Sequence, residues 1–159
     1  MSWAVLPDSS GDVFLEPASV KQTNDVFDRW IMIFNDTSTK IGFAGGFFVP
    51  KNYNTSAKIY PIWTSTATSG NVVWTFDYRT VGGDDTTSLD QSGTEESASV
   101  TDAAPTAANR RLEPSISLTS ANFAADEQVS FHLYRDGTSG SDTMAAAAQL
   151  WELIFEYSD

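Results

Sequence analysis

Bulky apolar residues recur at every second position in several separate stretches of this chain, and that spacing predicts β-strands. From Asn71 to Arg79, Val72, Trp74, Phe76 and Tyr78 fall on one face, with Val73, Thr75, Asp77 and Arg79 on the other. Val129, Phe131, Leu133 and Arg135 alternate with Ser130, His132, Tyr134 and Asp136, and the run ends in Asp136-Gly137, a tight-turn dipeptide. Ile116 and Leu118 alternate with Ser115, Ser117 and Thr119 after Pro114, which predicts a shorter strand. Arg29 to Phe34 and Ile41 to Val49 are apolar on both faces, as expected of strands covered by protein on each side. Asn35 to Thr39 reads as the hairpin connection between them. Gly42, Gly45 and Gly46 predict a bulge or a close approach of another backbone. Ala57 to Trp63 makes a further strand; Pro61 cannot donate a ladder hydrogen bond, so an edge or bulged position is expected there. Val13 to Leu15 and Ser97 to Thr101 carry shorter matches to the same pattern.

The last segment fits two periods. Leu150, Leu153, Ile154 and Tyr157 make a helical stripe after the helix-compatible Ala145 to Ala148. Read as a strand, Trp151, Leu153, Phe155 and Tyr157 share one face, with Glu152 and Glu156 on the other. The strand is favoured from Gln149 onward, because a lone terminal helix would have to cover an open sheet face. Asp142 to Ala147 has the composition of a short helical turn. Gly82 to Ser97 and Thr101 to Asn109 read as long solvated connections. Eight or nine short strands joined by turns and some long crossovers predict an all-β fold, an antiparallel two-sheet sandwich with jelly-roll (Greek-key) topology.

At 159 residues the chain suits a single core. Residues 22–159 are expected to form one sandwich domain, preceded by an N-terminal arm over 1–21. Asp plus Glu number 21 against 9 Lys plus Arg, a formal charge of −12. Binding to phosphate backbones needs clustered cations, so neither nucleic acid nor an anionic membrane is expected as a partner. No apolar run reaches the length of a membrane span and Met1-Ser2-Trp3 opens no export signal, so a soluble, unexported chain is expected. Without cysteine there are no disulfides, thiolate nucleophiles or Cys-ligated zinc; with one histidine there is no His-rich metal site.

The remaining chemistries are weighed on particular residues. A Ser-His-Asp triad would have to use His132, and no Gly-x-Ser-x-Gly elbow is present. His132 alternates with the apolar face of its strand, which gives it an outward position. A glycosidase carboxylate pair could be sought in Glu152 and Glu156, but a solvated sheet face explains them more simply. Oxygen-bearing side chains from Asp84 through Thr86, Ser88, Asp90 and Ser92 to Glu95 mimic a calcium-loop spacing, yet Leu89 stands where the turn needs glycine. Asp136 to Asp142 is similar in kind, a hydrogen-bonded turn or an ion site. No metal, cofactor or catalytic residue is therefore assigned. For sugar stacking, Trp30, Trp63, Trp74 and Trp151 lie in apolar strands where burial is the default, and Trp3 lies in the arm. Arg110-Arg111 is a cationic doublet suited either to solvent or to an acidic neighbouring subunit.

The order of motifs resembles small jelly-roll structural proteins of tailed bacteriophages. The likeness is carried by Phe47-Phe48-Val49-Pro50-Lys51-Asn52-Tyr53, Ile59 to Thr64 and Gly70 to Arg79. It continues through Leu118 to Phe123, Ala125 to Val129, Leu133 to Asp136, Ser141-Asp142-Thr143 and Trp151 to Tyr157, spanning about residues 28–157. The resemblance implies a non-enzymatic virion component, commonly a homotrimer. The corresponding expectation is a capsid decoration (cement) protein on the particle exterior, binding the major capsid protein or other virion subunits. The alternative is a tail or baseplate appendage acting as a receptor- or carbohydrate-binding module. Trp3, Val5, Leu6 and Phe14 of the arm, with Arg110 and Arg111, are the candidate partner-binding residues; an arm this apolar would need a surface on which to dock.

Overall fold

In a computed structural model of the chain, the structure describes residues 14–15, 18–23, 28–83, 88–89 and 93–159, with side chains described from residue 31 onward. The strands are β1 (Phe14–Leu15), β2 (Ala18–Thr23), β3 (Asp28–Phe34), β4 (Lys40–Phe48), β5 (Thr55–Thr64), β6 (Asn71–Val81), β7 (Glu96–Ala103), β8 (Ile116–Ser117), β9 (Gln128–Asp136) and β10 (Ala148–Ser158). A single 3-10 turn, Ser120–Asn122, is the only helical element among the described residues, so none there is long and apolar enough to cross a membrane.

One sheet runs β1-β4-β9-β6-β7 and the other β2-β3-β10-β5-β8. Taken from β3 to β10, the strands follow the order of an eight-stranded jelly roll, crossing between sheets at each step except the β6-β7 hairpin, with β8 reduced to two residues. β1 and β2 are additions to that frame. β1 lies parallel to β4 (Phe14↔Lys40) and β2 antiparallel to β3 along its whole length (Ala18↔Ile33 to Thr23↔Asp28). Within the stretch read as an arm, β1 thus joins one sheet and β2 the other. The cause is that β3 and β4 end their sheets, and bare strand edges carry unpaired backbone groups that an added strand satisfies.

The inward faces follow the period-2 pattern. Val72, Trp74, Phe76 and Tyr78 of β6 are almost fully buried, as are Val129, Phe131 and Leu133 of β9. Aromatic rings fill the space between the sheets. Phe34 and Trp63 meet Trp74 edge-on (centroids 5.0 and 5.9 Å), Phe76 stacks on Phe131 (5.0 Å), and Tyr78 stacks on Phe123 (4.8 Å). Such pairs contribute about 0.5–1.5 kcal/mol each beyond area burial.

Several local expectations resolve here. β4 pairs with β9 without a register shift from Lys40↔Asp136 to Phe48↔Gln128, so its glycines mark no bulge. Close approach explains them: a Cβ on Gly45 would stand 2.5 Å from the Phe131 ring, and one on Gly42 would stand 2.5 Å from Tyr134 Cβ. Pro61 faces its missing N–H toward the β8 side, where pairing skips from Ile59↔Ile116 to the bridge Trp63↔Leu112. The last segment is a strand, with a bulge at Trp151 between Leu150↔Trp63 and Glu152↔Ile62. Asp142 to Ala147 forms no helical turn. Its Met144 and Ala146 carbonyls accept from Arg135 and its Ala147 carbonyl from the Ser65 hydroxyl, which hold the stretch against the sandwich.

Candidate functional site

The outer face of the β4-β9-β6 sheet carries two short side chains and one phenyl ring on β4 and mostly polar side chains on the next two strands. Ala44, Gly46 and Phe48 of β4 lie opposite His132, Ser130 and Gln128 of β9, and those lie opposite Asp77, Arg79 and Val81 of β6. Small residues in the first row leave a trough. The result is a groove of about 550 Å³, with Gly45 and Gly46 in its floor and Phe48, Leu89 and Thr94 among its lining. Phe48 is 69% exposed and Leu89 is 73% exposed; bulky apolar side chains left in water at the rim of a groove are characteristic of a contact surface.

Polar groups in the groove are held in place. The Ser97 hydroxyl donates to Asp77 Oδ1 (2.5 Å), and Arg79 Nη1 donates to the Gly93 carbonyl (2.9 Å). Just beyond the groove, Lys40 Nζ stands 5.1 Å from the Tyr134 ring centroid. Burial, then the charge of Asp77, raise the Tyr134 hydroxyl above the ordinary tyrosine value. The arrangement offers an apolar trough beside one carboxylate, one guanidinium, one imidazole and an amide. It is suited to holding a partner by shape and hydrogen bonds.

A second polar cluster ties one end of the sandwich together. Tyr78 donates to Glu96 Oε2 (2.5 Å), Thr119 donates to Glu96 through its N–H (2.8 Å) and hydroxyl (3.0 Å), and Asn122 Nδ2 donates to Tyr78 Oη (3.0 Å). Burial, reinforced by Glu96, pushes the Tyr78 hydroxyl far above its ordinary range. Burial opposes ionisation of Glu96, but hydrogen bonds from Tyr78 and Thr119 outweigh it and hold that carboxyl below its ordinary value. At the other end of the same strand, Asp102 Oδ2 accepts from Trp63 Nε1 (2.8 Å); burial raises this carboxyl, with the Trp63 and Ala103 hydrogen bonds opposing.

The third cluster is a buried ion pair. The Arg135 side chain is 1% exposed and the Asp142 side chain is 2% exposed. Arg135 donates to Asp142 from Nε (3.1 and 2.9 Å) and Nη2 (2.6 Å), and to the carbonyls of Met144 (2.6 Å) and Ala146 (2.7 Å). Asp142 also accepts from the Val73 amide (3.1 Å). The Asp136 to Asp142 loop is thus a hydrogen-bonded turn whose acid is taken by an arginine.

The residues singled out in the sequence fall in different places. His132 lines the groove, outward as expected. Glu152 and Glu156 are exposed on the opposite sheet, where Glu156 Oε1 accepts from Tyr60 (3.0 Å) and Lys58 (3.4 Å). Trp63 and Trp74 are in the core, while Trp151 is half-buried at the bulge. Arg110 and Arg111 are exposed, and Arg111 pairs with Glu113 of its own chain (3.0 Å). Phe14 is in β1. Trp3, Val5 and Leu6, and Asp84, Thr86, Asp90 and Ser92 of the acidic loop, lie outside the described residues; Glu95, from the same loop, accepts from the N–H and hydroxyl of Thr80. Sequence reasoning passed over the groove. Its signal was the two-residue spacing of Gly42, Ala44 and Gly46 on one face of β4, opposite polar residues.

No protein-family model matches the chain, and no curated protein matches it. Among solved structures, the carbohydrate-binding module TmCBM61, determined in complex with β-1,4-galactotriose, aligns at a TM-score of 0.43 and 10% identity, covering 81% of this chain and 71% of that one.

Proposed function

We propose that this chain is a non-enzymatic structural protein of a tailed-phage particle, and that it holds a neighbouring virion subunit in the groove on the outer face of β4, β9 and β6. The observation that carries the reading is the exposed pair Phe48 and Leu89 beside a glycine-floored trough, on a sheet whose other face is an aromatic core. The phage resemblance over residues 28–157 adds support, because that stretch coincides with the strands β3 to β10 that make the jelly roll. A net charge of −12 suits a particle exterior, where acidity favours solubility and does not attract the packaged genome. Particles lacking this protein, titrated with purified chain, test the proposal. Phe48→Ala should weaken attachment by at least about tenfold, as for an interface anchor, with the fold intact. Unchanged attachment would count against the groove.

A second reading is carbohydrate binding in the same groove. It is favoured by the exposed Phe48 ring lying beside Asp77, Arg79, Gln128 and His132, groups able to take paired sugar hydroxyls. A glycan array separates the two: a hit abolished by Phe48→Ala supports the sugar, and silence across the array supports the protein partner.

A further inference from the structure

We infer that β7 is a self-pairing edge through which two copies of this chain join their sheets, antiparallel, about a two-fold axis at Ser99. β4, β3 and β5 pair on their outer edges with β1, β2 and β8, whereas among the described residues β7 pairs with β6 alone. The Ala104 amide donates to the Gly70 carbonyl (2.9 Å), and the register Asn71↔Ala103 to Tyr78↔Glu96 continues from that pair without a shift. Antiparallel ladders alternate, so Glu96, Ala98, Val100 and Asp102 bond to β6, and Ser97, Ser99, Thr101 and Ala103 turn their backbone groups away from it. The latter four residues are exposed. The Ala103 amide is taken by the Asp102 carboxylate. Among the described residues, Ser97, Ser99 and Thr101 present theirs at an edge with no further strand.

The edge also has the composition of a self-complementary strand. A two-fold at Ser99 sets Ser99 against Ser99 and Ser97 against Thr101 of the second copy. Each facing pair exchanges two backbone hydrogen bonds, and short hydroxyl side chains meet without a clash. Lysine, proline and bulges, which block edge pairing in many sheets, are absent from Ser97 to Thr101, and the inward acids Glu96 and Asp102, a further such device, stand outside that run. On a chain of net charge −12, like-charge repulsion is the main obstacle to self-association. The two acids of β7, Glu96 and Asp102, point inward and accept from Tyr78 and Trp63, which turns them away from the facing strand. This contact is independent of the groove. A two-fold pair, and not the three-fold assembly implied by the family resemblance, is what this edge supports.

The test uses the full chain over a roughly hundredfold range of concentration, followed by sedimentation equilibrium and residue-resolved amide exchange. A monomer–dimer equilibrium is expected, with the Ser97, Ser99 and Thr101 amides gaining protection as dimer forms. Ser99→Pro, which deletes a central donor, and Ser99→Lys, which sets like charges face to face, should each raise the dimer dissociation constant at least about tenfold. Both should leave the thermal midpoint of the monomer in place, because the position is exposed. A chain that stays monomeric throughout overturns the inference. So does a trimer, or a dimer in which those three amides exchange as fast as in the monomer, or one that both substitutions leave intact. Protection that appears only with an added extended peptide would assign the edge to another protein and equally overturn it.

Discussion

Replacing Arg135 with Met removes the cation from the buried cluster while keeping most of the side-chain volume. The Asp142 carboxylate is then left 2% exposed with the Val73 amide as its remaining hydrogen-bond donor among those described above. The carbonyls of Met144 and Ala146, which Arg135 reaches at 2.6 and 2.7 Å, lose their donor as well. Removing one partner of a buried pair costs about 3–5 kcal/mol, because the surviving charge stays desolvated. Against a domain stability of about 5–15 kcal/mol that is a large fraction, and it corresponds to a fall in Tm of about 6–20 °C for a chain of this size. Asp142→Asn should cost less, about 2–3 kcal/mol, since the amide still accepts one hydrogen bond and Asp36 stands 3.5 Å from the guanidinium. Because both variants damage the same cluster, the double variant should cost less than the sum by roughly 1–3 kcal/mol. Urea denaturation followed by circular dichroism measures all three, with an unchanged m-value confirming the two-state comparison. If Arg135→Met lies within about 1 kcal/mol of the parent, or the two substitutions add, the cluster does not hold the Asp142 to Ala147 stretch to the sandwich.

Two carboxyls of β7 should give opposite pH dependences. Glu96 sits below its ordinary value, so its stabilisation is present above the unfolded-state pKa and fades as pH falls through the folded one; the Tm gap between parent and Glu96→Gln should close on acidification. Asp102 sits above its ordinary value, so its contribution is full below the unfolded-state pKa and is lost as pH rises through the folded one. Asp102→Asn, which keeps an acceptor for Trp63, should therefore gain on the parent as pH rises from about 3 to about 6. Gly45→Ala drives a methyl to within 2.5 Å of the Phe131 ring and should cost about 1–3 kcal/mol in thermal denaturation, whereas Gly83→Ala, with nothing within 4 Å, should not register. Phe48→Ala should leave stability within about 0.5 kcal/mol of the parent, separating its expected binding defect from misfolding.

The strands that could be read in the sequence are those with one buried and one polar face, such as β6 and β9. Arg135 was correctly placed on the apolar face of β9, but its role was not legible. An arginine there demands a buried anion and several carbonyls, and these come from a loop whose Asp, Ser and Thr residues look the same whether they serve an ion, a turn or a side chain. β7 was underread because half its face is Glu and Asp, acids that a strand tolerates inwardly only when Tyr78, Thr119 and Trp63 stand ready to donate. β2 escaped notice because Ala18 to Thr23 has too few apolar residues for any period to emerge.

The C-terminal strand shows how an irregularity disguises itself. Before the bulge, Ala148 and Leu150 face the core; after it, Leu153 and Phe155 do. One extra residue at Trp151 shifts the phase, so the inward positions on either side of it are three apart and not two. A spacing of three is also what a helix produces, which is why Leu150, Leu153, Ile154 and Tyr157 read as a helical stripe. Trp151 was accordingly placed with Leu153 and Phe155, although it stands outside the core cluster. The distinguishing signal lies beyond the phase shift: Leu153, Phe155 and Tyr157 are two apart with Ile154 37% exposed between them, a rhythm that a helix facing the same core could not sustain. A phase that breaks once and then resumes with period two therefore marks a bulged strand, and a phase that drifts steadily marks a helix.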